Sequence, residues 1–122
     1  MKPLRQCLLI GLSLGLSLIT IPGHAADDPE VVYLLAWVAQ SDCIFVRNGE
    51  EHPAVEASEH LAMKYRRVRR WIDDADEFIE RIASGSSISG RPYLVRCPGQ
   101  PEQPSGTWLG QELTQHREAP AD

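Results

Sequence analysis

Two cysteines, Cys43 and Cys97, bracket the central part of a 122-residue chain. The third cysteine, Cys7, lies in an N-terminal segment that has the pattern of a removable leader. An even number of cysteines in an exported chain predicts a disulfide bond, and closing so long a loop contributes about 4 kcal/mol in a chain-entropy treatment. Because the net stability of a small domain is only about 5–15 kcal/mol, this bond constrains the fold strongly.

The alternative use of the two cysteines is a metal site. Structural zinc sites draw on cysteines and histidines in closely spaced pairs. Cys43 and Cys97 are not paired in this way, and the histidines of the remaining chain are scattered at positions 52, 60 and 116. We therefore predict a disulfide bond, with no metal and no cofactor.

Residues 1–25 are predicted to form a secretory signal peptide. Lys2 and Arg5 give a positively charged start, the apolar run 8–21 follows, and small residues precede a predicted cleavage after Ala25. The run is short for a membrane span, so an uncleaved anchor helix is the less favoured alternative. We expect a periplasmic protein with no stable membrane span after cleavage.

Loss of the leader makes the chain more acidic. It removes two basic residues and no acidic ones, so 12 basic residues become 10 against 17 acidic residues, and the net charge changes from −5 to −7. Nucleic-acid binding needs a positive surface, so no nucleic-acid partner is predicted. Residues 26–122 suffice for one small secreted domain, with an ordered part expected at about 30–117.

Hydrophobic residues recur at helical spacing in four segments, which predicts a mainly α fold. The first is Glu30–Gln40, although the β-branched Val31 and Val32 leave a strand as the alternative. The second carries an apolar stripe on one side and arginines on the other. The stripe comprises Leu61, Tyr65, Val68 and Ile72, opposite Arg66, Arg67 and Arg70.

Capping signals define the other two helices. Asp74 and Glu77 have the spacing of a capping box at the start of the third helix, which is expected to stop at Gly85. Ser105 is expected to cap a short fourth helix through Leu113.

Two short β-branched segments, Cys43–Arg47 and Tyr93–Cys97, are predicted to be strands. If the disulfide joins them and they run antiparallel, Phe45 faces Val95 and Arg47 faces Tyr93. The expected fold is a small helical domain with a short two-strand ribbon and one disulfide.

Two polar loops, which this ribbon would bring together, contain the residues that the fold explains least. Successive backbone N–H groups beside an arginine suit an anionic or carboxylate-bearing ligand, and a tyrosine adds a stacking surface. The alternative is that both loops are only turns whose hydroxyl and amide groups satisfy each other. The predicted ligand-binding residues are Arg47, Asn48, Gly49, Ser86, Ser87, Ser89, Gly90, Arg91 and Tyr93.

No catalytic residue is predicted. The loop serines lack the Gly-x-Ser-x-Gly and Ser-x-x-Lys patterns of serine nucleophiles. Glu56, His60 and Lys64 are spaced one turn apart, which is more typical of a solvated helix face than of a proton-handling site. Acidic residues flank the basic run 64–70, which favours paired surface charges, with anionic envelope lipid or peptidoglycan as a possible partner.

The motifs Cys-x-Phe-x-Arg-Asn-Gly at 43–49 and Ser-Ser-x-Ser-Gly-x-Pro-Tyr at 86–93, taken together, are specific. In these motifs and in their order the chain resembles the YfeK-like family of small bacterial periplasmic proteins, a domain of unknown function. The similarity extends from about Glu30 to Arg117. The resemblance implies a periplasmic location and a disulfide, and it implies no reaction, substrate or catalytic residue.

The function expected from the sequence is that of a non-enzymatic periplasmic binding or envelope-accessory protein. Its partner would be an unknown envelope protein or an anionic envelope ligand. One alternative is a protein inhibitor, because Ser89–Tyr93 resembles the Ser-Gly-x-x-Tyr loop of the periplasmic C-type lysozyme inhibitors, although those are all-β barrels. The other alternative is a small hydrolase.

Overall fold

The structure is a computed structural model that describes residues 27–120 and the isolated positions 11, 15 and 17. The predicted cleavage site after Ala25 lies outside the described residues. In the described part of the chain, no helix combines the length and the apolar character that crossing a bilayer requires.

Within residues 27–120, the domain has four α-helices and four short strands. The helices are α1 Pro29–Gln40, α2 Ala54–Val68, α3 Ala75–Phe78 and α4 Ser105–Glu118. A 3₁₀ turn, Arg69–Trp71, follows α2, and a π-helical turn, Ile79–Ala83, extends α3. The strands are β1 Ile44–Arg47, β2 Glu50–Pro53, β3 Leu94–Arg96 and β4 Gln103–Pro104.

The strands form one antiparallel sheet in the order β2-β1-β3-β4. Phe45 lies opposite Val95, so the predicted register of the central pair is confirmed. The prediction of a ribbon with only two strands is wrong, because the sheet has four strands. The fold is therefore mixed α and β rather than mainly α. Asn48 and Gly49 have φ angles of 51° and 81°, which suit a tight hairpin turn that sends the chain straight back as β2.

The core lies between the helices and the inner face of the sheet. The α1 and α2 stripes pack face to face, and α4 closes the layer against α1 and the π-helical turn. The most deeply buried large side chains are Phe78, Leu34, Leu109, Leu113, Val31, Val38 and Val95. Leu61 and Tyr65 are also buried, as the stripe predicts.

The prediction of one continuous helix over residues 61–72 is wrong at the C-terminal end, because α2 stops at Val68. The backbone of Val68 leaves the helical region at φ −124° and ψ 7°, and a 3₁₀ turn follows. Ile72 therefore packs against the core from an extended position rather than from the end of one continuous stripe.

Side-chain caps explain where two of the helices begin. Asp74 accepts a hydrogen bond from the Glu77 N–H at 2.9 Å, so the predicted cap of α3 is confirmed, whereas Glu77 accepts from the N–H of Asp73, one residue before the cap, at 2.9 Å. Asp28 caps α1 in the same way, through the Glu30 N–H at 2.8 Å. Ser105 is not a cap: its buried hydroxyl donates to the Ala83 carbonyl at 2.6 Å.

A disulfide bond joins Cys43 to Cys97, which confirms the predicted pairing. The two Cα atoms are 4.2 Å apart although the residues are separated by 54 positions in sequence. The bond fixes the start of β1 against the end of β3, and the far ends of these strands carry the two polar loops.

Candidate functional site

The two predicted loops meet. The Ser89 hydroxyl donates to the Asn48 side-chain carbonyl at 2.6 Å, and the Asn48 amide donates to the Ser86 hydroxyl oxygen at 3.4 Å. The β1–β2 turn is therefore joined to the loop before β3, in the arrangement that the strand register predicts.

Most backbone N–H groups of the second loop donate to acceptors inside the loop. The Ser86 hydroxyl oxygen accepts from the Ile88 and Ser89 N–H groups, and the Ser86 carbonyl accepts from the Gly90 N–H. The Arg91 N–H donates to the Ser89 hydroxyl oxygen at 3.2 Å. These N–H groups are therefore hydrogen-bonded within the turn, as expected if the loops are only turns. An anion at this place would have to be bound by side chains. Ser87 is exposed, and Ile88 at the tip is completely exposed.

Two arginines border the joined loops, and neither has a carboxylate within ion-pair distance among residues 27–120. Arg47 is half-buried at the end of β1, and Arg91 is exposed. One Arg91 guanidinium nitrogen lies 4.0 Å from the position that a β-carbon on Gly49 would occupy. The Arg91 guanidinium thus lies over the turn that begins beside Arg47.

The prediction that flanking acidic residues pair with the basic run 64–70 is wrong. Within the described part of the chain, Arg69 alone in this run has a carboxylate partner, Asp27 at 2.5 Å. The nearby acidic residues make other contacts: Asp74 and Glu77 hydrogen-bond to the backbone at the start of α3, and Asp76 pairs with Arg117. The other three arginines of the run are exposed without an ion pair in this part of the structure.

A small cavity of about 30 Å³ lies behind Arg47. This is room for one or two water molecules or for one small functional group. The exposed wall is almost entirely apolar, although Arg47, His52, His60, Tyr93 and Ser105 are among the lining residues. The apolar lining residues are Phe45, Val46, Ala57, Leu61 and Leu109.

Lys64 is not on a solvated face, contrary to the expectation from its spacing. It is half-buried, and its ammonium group donates to the Ile82 carbonyl at 2.8 Å, the Gly85 carbonyl at 3.0 Å and the Tyr93 hydroxyl at 2.9 Å. An ammonium group has three donors, so all of them are occupied. Burial, followed by the charge of Arg47, lowers the pKa of Lys64.

His60 is half-buried at the cavity. Its pKa is lowered, first by burial and then by the charges of Arg47, Lys64, His52 and Arg67. All of these neighbours are basic groups, so they add to burial in disfavouring a charged imidazole at His60.

Tyr93 is buried, so it does not offer the open stacking surface that the sequence suggested. Its ring packs edge-on against His60 at 6.4 Å, and the Lys64 ammonium lies 4.8 Å from the ring centre. Burial raises the pKa of its hydroxyl, which Arg47 partly opposes. The exposed part of the Ser-Gly-x-x-Tyr segment is therefore Ser89–Pro92.

His52 is a site residue that the sequence analysis missed. Its Nδ1 lies 2.7 Å from a Glu56 carboxylate oxygen, so Glu56 pairs with His52 and not with His60. The Nε2 atom is buried and has no hydrogen-bond partner among the described residues; the Glu50 carboxylate is 3.9 Å away. The available signal was the one-turn spacing from His52 to Glu56, which becomes meaningful only once β2 leads directly into α2.

Comparisons with known proteins place the chain in a family. A family described as "Family of unknown function (DUF5329)" matches residues 25–117. A protein of Salmonella typhimurium named "Uncharacterized protein YfeK" is 41% identical over 81 residues, which are 62% of this chain and 68% of that protein. No solved structure matches the chain significantly. The resemblance to YfeK-like proteins is thereby confirmed, and the chain belongs to the DUF5329 family of unknown function.

Proposed function

We propose that this protein is an exported, periplasmic binding module without enzymatic activity, and that it recognises an anionic group on an envelope partner. The observation that carries the proposal is that Arg47 and Arg91 border two interlocked loops without carboxylate partners among residues 27–120. Guanidinium groups bind carboxylates through two parallel hydrogen bonds, which gives both affinity and orientation.

The composition of the chain makes these unpaired arginines informative. Acidic residues outnumber basic ones by 17 to 12, so carboxylates are plentiful. Arg96 nevertheless pairs with both Glu51 and Glu102, while half-buried Arg47 pairs with neither. A cation left unpaired on an acidic protein is suited to an external anion.

The state of the nearby hydroxyl groups supports binding over hydrolysis. The Ser105 hydroxyl donates to the Ala83 carbonyl, and the Ser89 hydroxyl donates to Asn48. A serine nucleophile needs instead to donate its proton to a general base. The fully exposed Ile88 beside Arg91 adds an apolar contact for a partner that is larger than the anionic group itself.

The experiment measures binding of the protein without its predicted leader to three envelope preparations: peptidoglycan sacculi, vesicles rich in phosphatidylglycerol, and detergent-solubilised envelope proteins coupled to beads. The double variant Arg47→Gln/Arg91→Gln is compared with the charge-matched control Arg66→Gln/Arg70→Gln. We expect one preparation to bind the parent and the control variant with similar affinity, and to bind the Arg47/Arg91 variant much more weakly.

Two results would overturn the proposal. Equal losses in both double variants would indicate general attraction to negative charge, and unchanged binding of the Arg47/Arg91 variant would remove the loops from the interface. Melting temperatures of all variants are recorded so that unfolding is not mistaken for lost affinity.

A further inference from the structure

The cavity behind Arg47 has polar residues in its wall, yet the surface that it offers to a bound group is almost entirely apolar. The polar atoms of these residues are used elsewhere. The Tyr93 hydroxyl accepts a hydrogen bond from the Lys64 ammonium group at 2.9 Å, and the Ser105 hydroxyl donates to the Ala83 carbonyl at 2.6 Å. A group that enters the cavity therefore meets mainly carbon atoms.

His52 follows the same pattern. Its Nδ1 atom contacts a Glu56 carboxylate oxygen at 2.7 Å, and its Nε2 atom has almost no accessible surface. A buried water needs about two to four polar partners, and this wall does not supply them. An alkyl group needs none, so the cavity suits the apolar end of a ligand.

The size of the cavity restricts that alkyl group. The volume of about 30 Å³ is room for one or two water molecules, and a carbon atom with its hydrogens fills about as much space as one water. A side chain of about one to three carbons fits, because the cavity is partly open and the outermost carbon can lie at its mouth. An aromatic ring or a lipid acyl chain is too large.

Arg47 connects this apolar cavity with the binding of an anion. It lines the cavity, and it has no carboxylate partner among residues 27–120. An anion held by its guanidinium group would therefore lie beside the alkyl group. The carboxy-terminal residue of a peptide carries both groups on one carbon atom, whereas an internal acidic residue carries its carboxylate on a separate side chain.

We propose that the cavity is a subsite for a short aliphatic side chain at the carboxy terminus of a peptide, whose carboxylate pairs with Arg47. This inference rests on the proposed function, in which Arg47 binds an anion, and it names the chemical class of the partner. The wall that receives the side chain includes Phe45, Leu61 and Leu109.

The test is an NMR titration of protein with labelled methyl groups, in which Val46, Leu61 and Leu109 report from the cavity wall. The probes are acetyl-glycyl-glycyl peptides that end in glycine, alanine, valine or phenylalanine, each as the free acid and as the uncharged amide. An acetylated peptide amide with an internal aspartate beside alanine tests the other position of the carboxylate. Vesicles rich in phosphatidylglycerol test an acyl chain as the occupant.

Matched variants separate the cavity from its surroundings. Ala57→Leu puts a larger side chain into the cavity wall, and Ala62→Leu is its control, because Ala62 is also half-buried on α2 but is not a lining residue. Arg47→Gln removes the guanidinium group, with Arg66→Gln as its control. Val46→Ala enlarges the cavity, which keeps the test decisive if Ala57→Leu folds poorly.

We expect saturable shifts of the three reporter signals with the free acids. The alanine peptide should bind about fourfold more tightly than the glycine peptide, since each buried carbon contributes about that factor, and the phenylalanine peptide should bind more weakly than alanine or valine. Amide probes or Arg47→Gln should weaken binding about tenfold. Ala57→Leu should abolish the preference for alanine over glycine, and Val46→Ala should shift the preference toward larger side chains. The alanine peptide should also displace the protein from sacculi or from envelope proteins, which identifies the source of the peptide.

The inference is overturned if all four acids bind equally well, if the amides bind as tightly as the acids, or if Ala57→Leu and Ala62→Leu have the same effect. It also fails if the internal aspartate binds better than a terminal carboxylate, if only vesicles shift the reporter signals, or if the peptides displace nothing. Envelope binding that still depends on Arg47 and Arg91 would then leave the proposed function standing. Conversely, peptide binding that depends on Ala57 and Arg47, with no effect of the Arg47/Arg91 variant on envelope binding, would remove the proposed function and keep the subsite.

Discussion

The Lys64 ammonium group lies 2.9 Å from the Tyr93 hydroxyl oxygen, and the same group donates to the carbonyl oxygens of Ile82 and Gly85. One side chain of α2 thus holds both the end of the π-helical turn and the start of β3. These segments carry the loop that joins the β1–β2 turn, so Lys64 positions the candidate site without being available to a ligand.

Replacement of this ammonium group should therefore destabilise the domain. Lys64→Met keeps the aliphatic stem but leaves two partly buried carbonyl oxygens and a buried phenol without their donor. We expect a loss of about 1–3 kcal/mol in the free energy of unfolding, measured with urea. The neighbouring Arg66→Met should change it by less than about 0.5 kcal/mol, because Arg66 is exposed. Similar values for both variants would contradict this role of Lys64.

His60 should make stability depend on pH with a defined sign. Burial and then the charge of Arg47 lower its pKa from the ordinary 6.5. The unfolded chain therefore takes up a proton at higher pH than the folded chain does, so stability falls as pH drops from 6.5 toward the folded pKa. Urea unfolding at pH 7, 6 and 5 should show a smaller loss in His60→Gln than in the parent. Parallel profiles for the two proteins would be inconsistent with the lowered pKa.

Opening the disulfide should cost much of the stability. Cys43 and Cys97 close a loop across 54 positions, so Cys43→Ser/Cys97→Ser is expected to unfold with about 2–5 kcal/mol less free energy than the oxidised parent. The reduced parent serves as the control and should match the variant. If oxidised protein, reduced protein and variant all unfold at the same urea concentration, the prediction is wrong.

Truncation of an apolar side chain should reduce the free energy of unfolding much more at a buried position than at an exposed one. Phe78 is fully buried and Ile88 is fully exposed. We expect Phe78→Ala to cost about 3–5 kcal/mol, through lost burial and a residual cavity. Ile88→Ala should cost less than about 0.5 kcal/mol. A large effect at Ile88 would indicate a packed loop tip that the structure does not contain.

The strand pairing was predictable because three local signals agreed. Two cysteines outside the predicted leader indicated the bond, the Asn48-Gly49 pair indicated a turn, and antiparallel pairing about that bond placed Phe45 opposite Val95. The cap formed by Asp74 and Glu77 was predictable for a similar reason, since it involves residues only three positions apart.

The missed features depend on contacts between residues far apart in sequence. The β2 segment Glu50–Pro53 has polar residues and no apolar alternation, because an edge strand leaves them mostly exposed. The acceptors of Lys64 lie 18, 21 and 29 positions away, so helical spacing alone suggested a solvated lysine. The meeting of the two loops was predicted, and internal use of their N–H groups was one of two alternatives; the choice between them depends on the folded conformation of Ser86 and Ser89.

The disulfide also determines what a single peptide-bond cleavage can do. All residues that line the cavity, apart from Ser105 and Leu109, lie between Cys43 and Cys97 in sequence. These residues therefore belong to one covalent ring, and a protease that cuts one bond within it leaves the two fragments attached to each other. In the oxidising periplasm that we propose for this protein, this ring would keep most of the cavity wall on a single molecule after a protease cut that would divide an uncrosslinked chain.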